Sequence, residues 1–476
     1  MFFIRGMATL SSTTTVLLDS DTIIAMATPV GHGAISVIRL SGGAVLPILR
    51  VAITEDDWEP KPRHAYLKTL KDEQGAIVDE VLVTYYENPA SYTGEDTIEL
   101  SGHGGVFVTQ KVLQHLLDCG DNYGLRLAQA GEFTQRAYMN GKLDLTQAEA
   151  VMDVISAQSD LALQAAQKQL GGGFKLQIIQ YQESLLEVLA QIEAYIDFPD
   201  EPLEPASLAK IAQKISHIKN AIAKALQFKD QSRYVREGVR TALIGAPNAG
   251  KSSLLNTLVG YERAIVSDIQ GTTRDTIEES LRLDGILLRL IDTAGIRDSD
   301  DVIEKQGIER SHAVIEEADL ILEVVDVSEA KPSGYPWFSA DTNNRIVLYN
   351  KSDLPIHPDW EAELQSDVAP SKNAFLISCV QSNGIEELKS AIKSKLGLED
   401  WLNQSELIAT NKRQQEHLKE TLKFLEQTLE AIDNTAEAEW ISFEIRESLA
   451  HLGEIVGHVD TEDLLGKLFS AFCVGK

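Results

Sequence analysis

Cysteine is scarce in this chain of 476 residues: only Cys119, Cys379 and Cys473 occur, too far apart for a disulfide framework or a Cys-x-x-Cys metal site. That scarcity fits a reducing compartment. Long apolar runs are missing as well. Nothing approaches the ~20 uninterrupted apolar residues of a membrane span, so no transmembrane helix and no membrane association are expected. The first residues, MFFIRGMATLSSTTTVLLDS, hold a single arginine and lack the longer apolar core and cleavage pattern of a secretory signal. Met7 could equally be the start. A cytoplasmic location is expected, with an organellar transit peptide as the lesser alternative. Basic charge is in short supply too, with 43 Lys and Arg against 72 Asp and Glu, a net charge of −29. Affinity for a polyanion rests on cations that neutralise phosphates, so unaided nucleic-acid binding is disfavoured.

What is present is globular: 43% hydrophobic and 24% charged residues. The length predicts about three domains of 100 to 200 residues. From Asp21 to about Asn140, short β-rich runs such as AISVIRL (34–40) and VDEVLVTYY (78–86) alternate with glycine turns and a helix-like stretch at 108–117. From Leu145 to about Tyr234 the chain is rich in Ala, Gln and Leu, and breaks at Gly171, Gly172 and Gly173 and at DFPDEPLEP (197–205) imply three helices. Between about Arg236 and Gly397, apolar runs at 241–244, 287–291, 320–325, 345–349 and 374–377 alternate with helical stretches, the rhythm of a doubly wound parallel sheet. Helical periodicity returns after Ser405. The fold class expected is multidomain, α/β plus all-α. An N-terminal α/β domain spans 1–140, a discontinuous helical domain spans 141–235 and 398–476, and a Ras-like doubly wound domain at 236–397 is inserted in it.

The strongest chemistry lies in GAPNAGKS (245–252), which follows the strand TALI and precedes the helix-like SLLNTLVG. Its glycines let backbone N–H groups turn toward phosphate oxygens. Asn248, Ala249 and Gly250 form the loop, Lys251 bridges the terminal phosphates, Ser252 ligates Mg²⁺, and Ser253 continues the helix N-terminus. In SDIQGTTRD (267–275), Thr273, with Thr272 as the lesser alternative, is expected to close over Mg²⁺, with Ser267, Asp268, Ile269, Gln270, Gly271 and Thr272 around the nucleotide. Asp292, Thr293, Ala294 and Gly295 follow the strand LLRLI, where the Asp holds the metal through water and the Gly N–H senses the γ-phosphate. Asn350, Lys351 and Asp353 of NKSD follow the strand RIVLY, and the Asp353 carboxylate selects guanine through the N1–H and exocyclic amine that adenine lacks. Ser378 begins the stretch behind the base. The series, in this order, predicts a GTPase.

With their flanks, these residues resemble the tRNA-modification GTPase MnmE (TrmE) family. The resemblance rests on DTIIAMATPVGHGAISVIRLSG, SYTGEDTIELSGHGG, AGEFTQRAYMNGKLDLTQAEAV, IDFPDE and the terminal FCVGK, and runs from about Asp21 to Lys476. It departs from the family's usual TPPGRGG, having TPVGHGA, and has Ser378-Cys379-Val380 where Ser-Ala-Lys is commoner. The resemblance implies a homodimer joined through an N-terminal domain similar to tetrahydrofolate-binding domains. It implies work with the flavoprotein MnmG, adding an aminomethyl or carboxymethylaminomethyl group at C5 of the wobble uridine (U34) of certain tRNAs. The one-carbon donor implied is 5,10-methylenetetrahydrofolate, with 5-formyltetrahydrofolate as an analogue. Arg39, Glu99, Lys142 and Lys476 carry over as folate contacts, Cys473 as a catalytic thiolate beside that pocket, nucleophile or acid/base, and Glu304 as the residue that orients the attacking water.

Ile296 follows DTAG where many GTPases place a glutamine, so another group must serve, and no arginine finger is evident. A K⁺ ion held by Asn248 and by the loop of Ser267, Ile269 and Thr272 could supply the missing positive charge when two G domains meet. The acidic balance predicts that tRNA is bound mainly through the complex. Two alternatives remain: a ribosome-assembly GTPase, for which no basic RNA-binding domain is visible, and a folate-binding module with a regulatory G domain.

Overall fold

A computed structural model describes residues 21–197, 205–261, 279–291, 317–331, 344–367, 373–402, 409–434, 437–457, 462–470, 472 and 474–475. These group into two compact units, 1–148 with 460–476, and 149–459. Among the described residues no helix is long and apolar enough to cross a membrane.

In the first unit, period-two alternation of apolar residues builds a mixed sheet. Its strands are β1 (Ile23–Met26), β2 (Ile35–Ser41), β3 (Ala65–Lys71), β4 (Ile77–Tyr86), β5 (Thr97–His103) and β6 (Arg126–Leu127). They lie in the order β3-β4-β5-β2-β1-β6, antiparallel except where β6 joins β1. One face carries Ile38, Leu40, Val81, Val83, Ile98 and Leu100. These pack on Ile48 and Leu49 of α1 (Val45–Ile53) and on Val112 and Leu116 of α2 (Val106–Gly120). Cys119 is half-buried on α2 and packs against this core. On the other face, Ile23 and Ala25 meet Phe133 of α3 (Glu132–Met139) and Tyr92. Farther across that face Leu67 stands opposite Leu82, and both are exposed, as is Ile35.

The terminal helix, Glu462–Ser470, clusters with this unit. Local packing holds it there. Phe469 and Phe472 are buried with ring centroids 5.3 Å apart, and a Cβ on Gly131 would lie 2.6 Å from the Phe469 carbonyl oxygen. Val474 then pairs with Ala130 as an isolated antiparallel bridge.

Where three helices are expected between 145 and 234, the described residues form five: α4 (Leu145–Ser156), α5 (Asp160–Leu170), α6 (Gly173–Asp197), α7 (Pro205–Gln227) and α8 (Lys229–Glu237). The glycine break lies as expected, while residues 198–204 of the proline-bearing stretch lie outside the described residues. Two further breaks have local causes. Ser159 is extended and its side chain caps α5 by accepting from the Ala162 N–H at 3.2 Å, and Phe228 leaves helical geometry ahead of α8. Helices α6 and α7 share an apolar core with the helices Lys412–Asp433 and Ala438–Val456.

The second unit also contains a six-stranded sheet of β7 (Val239–Ile244), β8 (Glu279–Leu283), β9 (Ile286–Ile291), β10 (Leu320–Asp326), β11 (Arg345–Asn350) and β12 (Ala374–Leu376). Its order is β12-β11-β10-β7-β9-β8. It is parallel except for the edge strand β8, which pairs antiparallel with β9, a departure from the all-parallel expectation. Helix α9 (Lys251–Tyr261) follows β7, and α10 (Ile385–Lys395) follows β12. After a short helix at Leu398–Leu402 come the helices α11 (Lys412–Asp433) and α12 (Ala438–Val456). Asn411 opens α11 with a capping box, its side chain accepting from the Gln414 N–H while Gln414 answers to the Asn411 N–H.

Helix α8 is tied at three points. Arg233 pairs with Asp319 at 2.7 Å just ahead of β10, Arg236 pairs with Asp153 of α4 at 2.7 Å, and the Gln231 side-chain amide donates to the Leu396 carbonyl at 2.9 Å. One turn earlier on α4, Glu149 accepts from Arg413 of α11 at 2.7 Å.

Candidate nucleotide and one-carbon sites

The phosphate loop begins where β7 ends. Gly245, at φ +150°, runs so close to β10 that a Cβ would sit 2.2 Å from the Val324 carbonyl oxygen, and Gly250, at φ +102°, would place one 2.1 Å from the Asn350 side-chain nitrogen. Both positions exclude any larger residue. Between them Asn248 is exposed and left-handed, at φ +63°, a conformation Asn tolerates better than most. Lys251 opens α9, and its Nζ donates to the carbonyls of Gly245 and Ala246 at 2.8 and 2.9 Å. Burial holds its pKa below the usual lysine value. Ser252 and Ser253 are exposed in the first turn of α9, where free backbone N–H groups and the helix dipole favour anions.

The guanine-type motif sits beside this loop. Asn350, buried at the end of β11, donates through Nδ2 to the Ala249 carbonyl at 3.0 Å and accepts from the Cys379 N–H at 3.4 Å. Lys351, at φ +64°, pairs with Asp326 at the end of β10. Asp353 accepts from the Ser378 hydroxyl at 2.6 Å, and Ser378 is itself buried in a two-way backbone pair with Asn383. Thr257 of α9 donates to the Cys379 carbonyl at 3.2 Å, so helix, loop and base motif form one bonded set. The structure thus brings together Asn248, Ala249, Gly250, Lys251, Ser252, Ser253, Asn350, Lys351, Asp353 and Ser378. Asp326 and Thr257 were not anticipated, and only the position of Asp326 at the end of the apolar run LILEVVD could have signalled it. Ser267, Asp268, Ile269, Gln270, Gly271, Thr272, Thr273, Asp292, Thr293, Ala294, Gly295 and Glu304 lie outside the described residues.

In the other unit, strand register brings Arg39 opposite Glu99. The guanidinium donates to one Glu99 carboxylate oxygen from Nε at 2.9 Å and from Nη2 at 2.7 Å. It lies 5.5 Å from the Tyr92 ring centroid and 5.7 Å from that of Phe133. The second Glu99 oxygen accepts from the Tyr86 hydroxyl at 3.4 Å, and burial, with Glu99 adding to it, pushes that phenol's pKa up. Arg39 and Glu99 are therefore partly buried and paired rather than solvated. Lys142 is exposed, its Nζ donating to the Pro89 carbonyl at 2.9 Å on the same loop that carries Tyr92. In the same unit, buried Arg136 bonds Glu132 and Asp21 at 2.9 Å and Glu95 at 3.2 Å, a network whose members are scattered along the sequence. Cys473 and Lys476 lie outside the described residues; between them, Gly475 approaches β1 so closely that a Cβ would be 2.1 Å from the Met26 carbonyl oxygen.

A family profile described as MnmE helical domain matches residues 145–473, and one described as GTP-binding protein TrmE N-terminus matches 22–142. The curated tRNA modification GTPase MnmE of Akkermansia muciniphila is 48% identical over 463 residues, 96% of this chain and 99% of the relative. The chain belongs to the MnmE family of tRNA modification GTPases. The MnmE of Aquifex aeolicus is 41% identical over 96% of this chain and 100% of its own length, and that of Clostridioides difficile is 38% identical over 96% and 99%. Among solved structures, the G domain of the T. maritima FeoB iron transporter is 25% identical over 33% of this chain and 98% of its own, at a TM-score of 0.23, too slight a likeness to carry weight. As a member of the MnmE family the chain is a GTPase, in line with its phosphate loop and guanine-type motif.

Proposed function

We propose that this GTPase acts with the flavoprotein MnmG, in the cytoplasm, to build the aminomethyl or carboxymethylaminomethyl group at C5 of the tRNA wobble uridine. In this reading 1–140 is the folate-binding and dimerisation domain, and 236–397 is a G domain inserted in the helical segments 141–235 and 398–476. The observation that carries it is the bond between Asn350 and Ala249, which joins the base motif to the phosphate loop in a chain with full-length MnmE relatives.

GTP would lie along the loop, with its guanine on Asp353 and its phosphates over Lys251 and the start of α9. Exposed Ser252 suits a hard cation such as Mg²⁺, which when bound neutralises phosphate charge. The one-carbon site is supported by Glu99, whose carboxylate suits the amide and amine edge of a pterin, by Arg39 and Lys142, which suit an anionic glutamyl tail, and by the aromatic wall of Tyr92 and Phe133. A methylene-tetrahydrofolate bound there supplies the one-carbon unit. The exposed row of Leu67, Leu82 and Ile35 on the same sheet face supports a second copy as its cover.

Nucleoside mass spectrometry of tRNA from a deletion strain tests the reading: full-length protein is expected to restore the modified wobble uridine, and a chain lacking its last four residues to fail while keeping GTP hydrolysis. A normal wobble uridine in the deletion strain would end the proposal, and equal loss of both activities would make the tail structural. The charge of −29 carries a second expectation. At physiological salt this chain alone should not shift tRNA electrophoretically at submicromolar concentration, because MnmG supplies most of the basic surface.

A further inference from the structure

Helix α12 buries one face and leaves another bare. Ile441, Ile445, Leu452 and Ile455 pack in the helical core, while Trp440 and Phe443 on the opposite side are 60% and 49% exposed. Their rings meet edge to face with centroids 6.5 Å apart. Tryptophan is large enough that leaving most of it in water forfeits a sizeable part of its ~150–250 Å² of burial, and exposed aromatic pairs mark contact surfaces.

Acids surround the pair. Glu437 and Glu439 precede and flank Trp440, and Glu444 and Glu447 follow it at i+4 and i+7. The nearby cations are engaged: Arg446 bonds Glu193 of α6, which also accepts from Ser442 at 3.0 Å, and Lys423 bonds Glu420 at 3.4 Å. One oxygen of Glu444 is buried without a hydrogen-bond partner. Burial and the neighbouring Glu447 push the Glu444 carboxyl above the ordinary glutamate range, so an incoming cation would relieve crowded negative charge.

The charge decides among occupants. RNA and anionic lipid would bring phosphates against four carboxylates. A second copy meeting this patch by two-fold symmetry would set the same acids against each other. We propose that Trp440 and Phe443, with Glu437, Glu439, Glu444 and Glu447, form the docking surface for a basic protein partner that offers an apolar pocket flanked by lysines or arginines. This rests on the proposed complex with MnmG, which becomes the probe.

Purified full-length chain is titrated with MnmG by calorimetry, alongside Trp440→Ala/Phe443→Ala and Glu444→Gln/Glu447→Gln variants. Neither pair bonds the phosphate loop or the base motif, so unchanged GTP hydrolysis and helical circular dichroism report intact folding. The aromatic double variant is expected to weaken binding by about 30-fold or more, and the glutamine pair to flatten the salt dependence of the association. Wild-type binding with equal affinity in the aromatic variant would overturn this surface and leave the partnership standing. No binding by the wild type would overturn both. Binding of tRNA or of phosphatidylserine vesicles that the aromatic variant loses would also overturn the assignment to a basic protein.

Discussion

Asp353→Asn is expected to lose GTP affinity by roughly 10²- to 10⁴-fold, the worth of two hydrogen bonds to a charged acceptor at about 1.5–3 kcal/mol each. An amide can accept from guanine at its oxygen only, and its NH₂ group opposes the donors guanine presents. Xanthine carries a carbonyl where guanine carries the amine, so xanthosine triphosphate should bind the variant better than GTP does. The bond from Ser378 holds the carboxylate at 2.6 Å, and Asn can keep that bond through its oxygen, so the effect should fall on nucleotide choice rather than on folding. Fluorescence titration with labelled nucleotides checks this. Unchanged GTP affinity would remove Asp353 from base recognition.

Hydrolysis by the wild-type chain is expected to be about 10²-fold or more faster in K⁺ than in Na⁺, since removing one preorganised source of positive charge from a transition state costs about 10²–10³ in rate. Asn248 stands exposed in the phosphate loop, and the proposed cation would take its side-chain oxygen. Asn248→Ala should therefore lose the K⁺ response. Glu304→Ala should bind GTP normally and turn over about 10²- to 10⁴-fold more slowly, the range for a positioned proton-transfer group. Steady-state rates in the two salts settle it: equal rates would dismiss the cation, and a fully active Glu304→Ala would return that side chain to the solvent.

The nucleotide loop was legible in the sequence because its geometry leaves little choice. Gly245 and Gly250 face atoms that no Cβ could pass, so the spacing of the motif carries the shape directly. The second task of Asn350, bracing Ala249 across 101 residues of chain, was not legible, since nothing local to NKSD signals a distant carbonyl. The pairing of Arg39 with Glu99 was hidden for the same reason: strand register, not sequence proximity, sets it. Arg136 shows the limit well. Its partners Asp21, Glu95 and Glu132 come from separate parts of the chain, and only Glu132, four residues away on α3, could have been paired by helical spacing. The helix breaks at Ser159 and Phe228 escaped because neither carries the glycine or proline that marks the others.

The three anchors of α8 have a mechanical consequence. A helix of nine residues is a rod of about 13.5 Å, stiff over that length, and this one is bolted to the entry of β10 by Arg233, to α4 by Arg236 and to the end of α10 by Gln231. A rod fixed at three points that are not in line cannot pivot freely. A tilt of the sheet that kept these bonds would turn α8 as a whole and draw on α4 and its Glu149–Arg413 clasp.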